Sequence, residues 1–153
     1  MPIVGSAKIN FLSYTGDNGT IEMFSRRHQH NSANNGVKII DYISSYHDGK
    51  IVRGGVSRIH AISTNRTFIL RFKDIPEIIV SYDTQVMVEN SNWESVSSGL
   101  TPSIKIGFVI DGVLIFKTIM EIIELRDPQR QYSLKISSKV NYILDCGLIV
   151  KGD

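Results

Sequence analysis

The chain has 153 residues, with 17 Lys and Arg against 15 Asp and Glu, one cysteine, and 42% hydrophobic residues. This is enough to bury one core, and a single domain over residues 1–153 is expected. One cysteine excludes a disulfide framework or a multi-cysteine zinc site, no apolar run reaches the roughly 18 residues of a membrane span, and the Met1–Ser6 start lacks the basic and apolar regions of a signal peptide.

In chain order, Ser6–Tyr14 and Thr20–Phe24 read as the arms of a hairpin around the turn formers Thr15–Gly19. Arg26–Asn35 is polar and without a period, and reads as a loop. From Asn34 or Asn35 the spacing of Val37, Ile39, Ile40, Ile43 and Tyr46 predicts a helix, with Gly49 as its stop. Ile51–Arg53, Val56–Ile62, Thr67–Phe72, Glu77–Tyr82 and Gln85–Glu89 read as strands. Asn90–Pro102 is a polar loop holding Trp93, and Asp111–Gly112 between two apolar runs predicts a tight hairpin. A last helix is expected from Ser137 or Ser138, carrying Val140, Ile143 and Leu144 and ending at Gly147, before a strand over Leu148–Val150. The expected class is α+β: a mostly antiparallel twisted sheet with two short helices packed on it.

Charge is segregated along the chain. Residues 25–73 carry nine basic and two acidic side chains, whereas residues 74–127 carry nine acidic and three basic ones. If folding keeps these on separate faces, the basic face suits anionic lipid or phosphate, and the two faces suit head-to-tail association. If strands interleave them, the asymmetry cancels. Candidate membrane or phosphate contacts are Arg26, Arg27, Lys50, Arg53 and Arg58. Trp93 and Leu100 are candidates for self-association, with Trp93 either an exposed anchor or folded back onto the core.

Catalytic features are sparse. His28 and His30 are two imidazoles without further ligands at metal-site spacing. Cys146 lacks a visible base, Arg53-Gly54-Gly55 matches no phosphate loop, and no cofactor fingerprint occurs. A non-enzyme without metal or cofactor is expected.

Two stretches, VKIIDYISSYHDGKIVRG (Val37–Gly54) and IKIGFVIDGVLIFKTIMEI with SSKVNYILDCGLIVKGD (within Ile104–Asp153), resemble the matrix proteins of negative-strand RNA viruses, the rhabdovirus matrix protein above all. The resemblance implies a viral structural protein that self-associates into oligomers, binds an anionic membrane surface and packs against nucleocapsid protein, in the virion and the host cytoplasm. The family's Lys-rich tail and its PPxY or P[ST]AP budding motifs do not occur here, so Arg26–Lys73 would have to make the membrane contact. The competing expectation is a small intracellular binding module for RNA or an acidic protein, with Arg26, Arg27 and Arg53 on phosphate and Phe68 and Phe72 as stacking platforms.

Overall fold

The computed structural model describes residues 2–4, 8–9, 19–20, 42–64, 66–126, 129–137 and 140–152. Fifteen strands are described: β1 (Pro2–Val4), β2 (Lys8–Ile9), β3 (Gly19–Thr20), β4 (Tyr42–His47), β5 (Lys50–Thr64), β6 (Thr67–Arg71), β7 (Ile78–Ser81), β8 (Gln85–Met87), β9 (Trp93–Ser95), β10 (Lys105–Ile110), β11 (Val113–Thr118), β12 (Glu121–Leu125), β13 (Gln129–Ser137), β14 (Asn141–Ile143) and β15 (Ile149–Lys151).

The two expected helices are corrected. Where the first was placed, Tyr42–His47 is the strand β4, paired residue by residue with β5; residues 34–41 of that expectation lie outside the described residues. Asp48 and Gly49 both have positive φ (50° and 77°), which is a type I′ hairpin turn and not a helix stop. The last expected helix is β14 instead, with Asn141, Tyr142 and Ile143 paired to β15. The only helical pieces among the described residues are a 3₁₀ turn at Glu89–Ser91 and one turn of α-helix at Val96–Gly99. The described chain is therefore all-β. Ladder hydrogen bonds reaching across the sequence outweigh a local 3.6-residue spacing, which Val, Ile and Tyr satisfy equally well on a strand.

All described pairings are antiparallel. The sheets run β1-β13-β5-β4, β12-β6-β7, β14-β15-β8-β9, β10-β11 and β2-β3. The last joins Lys8 and Ile9 to Thr20 and Gly19, the opening hairpin. The Asp111–Gly112 pair turns β10 into β11 with φ of 52° and 78°, as its dipeptide predicts. Long β5 and β13 pair from Gln129–Thr64 to Ser137–Gly55, with a bulge where the register shifts between Lys135 and Ile136. There Ser57 Oγ donates 3.1 Å to the Lys135 carbonyl.

One apolar core joins the sheets. Ile43, Leu70, Ile106, Phe108, Leu134, Tyr142 and Leu148 are fully buried in it, and Phe72 meets Phe108 edge-on at 5.2 Å between ring centroids. A smaller cluster of Val109, Ile143 and Ile149 packs with Tyr46, Met87, Trp93 and Leu114.

Folding also mixes the charges. β6 pairs with β12, which sets Arg71 opposite Glu121 and Phe68 opposite Glu124. Arg71 Nη1 donates to Glu121 at 2.7 Å and its Nε to Glu77 at 3.1 Å, while Arg66 Nε donates to Glu124 at 2.8 Å. Basic residues of the first segment and acids of the second thus neutralise each other on one sheet.

Candidate functional site at the meeting of the chain ends

Both ends of the described chain lie against strand β13. At the start, Pro2, Ile3 and Val4 pair with Ser133, Tyr132 and Gln131. At the other end, the Gly152 N–H donates 2.8 Å to the Val140 carbonyl. A Cβ added at Gly152 would lie 3.4 Å from the Leu134 carbonyl oxygen and 3.5 Å from Ile136 Cγ1. Pro2 and Gly152 therefore rest beside successive residues of one strand, Ser133 and Leu134.

A turn between β7 and β8 closes over the same region. Val150, two residues before Gly152, pairs with Val86, two residues after Thr84. The Thr84 N–H donates to the Ser81 carbonyl at 3.2 Å, and Thr84 Oγ1 accepts from the Ser81 N–H at 3.1 Å. This reciprocal pair locks the turn. Both residues are fully buried. On the neighbouring strand Thr67 is the register partner of Ser81 and is equally buried. The Thr67 and Ser81 hydroxyl oxygens are enclosed and have no hydrogen-bond partner. Strand β1 lies alongside β7 without sharing a ladder with it. Strand β1 thus runs beside the strand that ends in Ser81, in an interior where polar groups are normally satisfied.

The groups singled out from the sequence lie elsewhere or apart. Arg26 and Arg27 fall outside the described residues. Lys50 and Arg53 are exposed near the start of β5 and, three apart on a strand, point to opposite faces. Arg58 sits in β5 across from Lys135. Trp93, on β9 opposite Met87, is half-buried against the smaller apolar cluster, and Leu100 is buried in the main core. Phe68 and Phe72 are core residues, so they offer no stacking surface for bases. Cys146 lies at the surface in the turn after β14, yet burial of its thiol pushes its pKa up, against a partly offsetting hydrogen bond with the Leu148 backbone. A raised pKa keeps it protonated and a weak nucleophile. No group of three or more His, Cys, Asp or Glu able to hold a metal ion occurs among the described residues.

The site residues missed in sequence are Thr67, Ser81, Thr84 and Gly152. The one signal they leave is that Ser81 and Thr84 stand with Asp83 as turn formers between two apolar runs in EIIVSYDTQVMV. The meeting of the ends is long-range and leaves no local mark.

No protein-family model and no curated protein matches the chain. Solved structures do. It superposes on the DnaB intein from Synechocystis sp. PCC 6803 with a TM-score of 0.77 at 15% identity, over 100% of this chain and 99% of that one. The TvoVMA intein gives 0.78 at 17% identity over 97% and 96%, and the transcription factor IIB Mvu mini-intein 0.76 at 13% over 99% of each. The chain has the intein fold. The likeness to a rhabdovirus matrix protein is thereby overturned: the short patterns that carried it are hairpins and ladders of an intein-fold domain. With it fall the viral structural role, the virion and matrix assignments, and the head-to-tail oligomer bridging membrane and nucleocapsid. The alternative RNA- or protein-binding module is likewise unsupported. The expectation of a non-enzyme is contradicted by a fold shared with inteins. It rested on side-chain constellations within short stretches of sequence.

Proposed function

We propose that this chain is a protein-splicing-type domain, which processes the polypeptide that carries it at the point where its two ends meet. The observation that carries the reading is the convergence of Pro2 and Gly152 on Ser133 and Leu134. Segments entering and leaving the domain are then neighbours. An acyl transfer between them becomes effectively intramolecular, and such proximity is worth up to about 7–11 kcal/mol when the geometry is right. The match to inteins over nearly the whole of both chains supports the same reading.

In the proposed reaction the nucleophile is a residue following the domain. Its thiol or hydroxyl attacks the carbonyl carbon of the residue preceding the domain. The C–N bond to the domain breaks, the released amine takes the proton, and a thioester or ester links the two flanking segments.

The test places the chain between two stable reporter domains, with Cys directly after Asp153. Loss of the full-length fusion and a hydroxylamine-sensitive branched product are expected, and Ala in place of that Cys should abolish both. A folded fusion that stays intact would overturn the reading.

A further inference from the structure

We infer an interaction surface: the outer edge of β11, over residues 112–116, pairs antiparallel with the same edge of a second copy of this chain, about a two-fold axis at Leu114. The hairpin decides which backbone groups that edge offers. Its two-residue turn makes Ile110 and Val113 a register pair, and hydrogen-bonded pairs then recur at every second residue. Further along, the Ile119 N–H donates 2.8 Å to the Ile104 carbonyl on the β10 side, and the next N–H, of Met120, donates 2.8 Å to the Arg71 carbonyl on the other side. Odd-numbered residues of β11 therefore bond to β10, while Leu114 and Phe116 turn their N–H and C=O groups outward. No described strand pairs with them there. The open stretch is bounded at one end by the turn. At the other, Lys117 Nζ meets Asp74 at 3.1 Å, where the chain around residues 71–74 takes over that edge. Leu114 is the midpoint.

The side chains identify the occupant. Edge strands commonly carry charges or proline that turn other strands away. β11 presents instead Val113 and Ile115, 59% and 38% exposed and on one face. With the axis at Leu114, Val113 of each copy stands opposite Ile115 of the other in the close, non-hydrogen-bonded spacing. Leu114 exchanges N–H···O=C bonds with its own counterpart. Asp111, which has no side-chain partner among the described residues, falls opposite Lys117 of the other copy. Moving the axis by one residue in either direction sets Asp111 against Ile119 or Ile115 instead. One register thus matches both charge and apolar surface, and in it the segment that fits this edge is its own copy. The contact is closed by its two-fold axis, unlike the head-to-tail association set aside above. A single short strand pair is the size of a weak dimer.

The test is sedimentation of the full chain from micromolar to millimolar concentration, with amide hydrogen exchange followed by NMR over the same range. A reversible monomer–dimer equilibrium is expected. As the dimer forms, exchange should slow several-fold at the Leu114 and Phe116 amides and stay unchanged at Val113 and Ile115, which already bond to β10. Val113→Lys, at an exposed position, should raise the dimer dissociation constant about tenfold or more. Asp111→Asn keeps a dipeptide suited to the turn and should raise it about threefold. A chain that stays monomeric at millimolar concentration overturns the surface. So does a dimer that slows exchange equally at Val113 and Leu114 or at neither, and so does one that Val113→Lys leaves at its original strength.

Discussion

At the scale of single residues, the fold depends on polar side chains that stand in for backbone. Asn141, nearly buried, accepts from the Tyr46 N–H and donates to the Tyr46 carbonyl, both at 2.8 Å, while Ser45 Oγ donates 2.7 Å to the Asn141 backbone carbonyl. Its amide acts as one more rung between β14 and β4. Asn141→Leu strands two backbone groups and should cost about 3 kcal/mol, read as a lower urea midpoint at unchanged slope. The buried hydroxyls divide by the same logic. Thr84→Val loses the bond from the Ser81 N–H and should cost about 1–2 kcal/mol. Thr67→Val removes an unpartnered hydroxyl and should leave stability unchanged or slightly raised; a loss as large as that of Thr84→Val would show that Thr67 is hydrogen-bonded in solution. Cys146 should react with iodoacetamide more slowly than a free cysteine at pH 8, with its rate rising only above the ordinary thiol range, because burial disfavours the thiolate.

At the scale of elements, the same dipeptide carries two different local signals. Asp111–Gly112 stands between unbroken apolar runs, which predicts a hairpin. Asp48–Gly49 follows a segment with helical spacing, in which Gly49 reads as a helix stop, although both dipeptides form type I′ turns. The difference lies in the partner strand. β4 gains its form from β5 and from Asn141 almost a hundred positions away, and nothing near Tyr42 encodes that. Strands with their own alternation and turn residues, such as β6, β7 and β8, were legible; those stabilised mainly by distant pairing, β4 and β14, were not. Of the site, only the turn formers Ser81 and Thr84 between two strands are visible in the sequence, and their meaning depends on which elements lie beside them. Packing within the ladder is tight at Gly54, where an added Cβ would fall 2.5 Å from Ile136 Cγ2 and 2.6 Å from Ser45 Oγ. Gly54→Ala should cost about 1–3 kcal/mol, whereas Gly112→Ala, open in space but at φ 78°, should cost only about 1–2 kcal/mol of backbone strain. Thermal unfolding of the two variants compares a packing clash with a conformational one.

At the scale of the whole molecule, entry and exit coincide. Joining the residue after Gly152 to the residue before Pro2 with a short glycine linker removes chain entropy from the unfolded state while leaving the fold unstrained. The circular form should melt several degrees above the linear one, by about 1–3 kcal/mol. A circular form less stable than the linear chain would mean that the ends do not meet on β13 as described. Charge follows the same global logic. The segregation seen along the sequence is folded into cross-strand pairs at half-exposed positions, each worth little alone.

The way β1 and the exit residue share β13 also governs how tension would pass through the domain. Force applied to the two flanking segments would act at neighbouring points of one strand, and the first bonds to bear it are the three-residue ladder from Pro2 to Val4 and the single bond from Gly152 to Val140. These would open one after another from the free ends, like a zip, while the long β5–β13 ladder stays unloaded. A carrier under strain would therefore lose contact with β13 well before the domain unfolds, so that pulling acts as a brake on whatever chemistry occurs there.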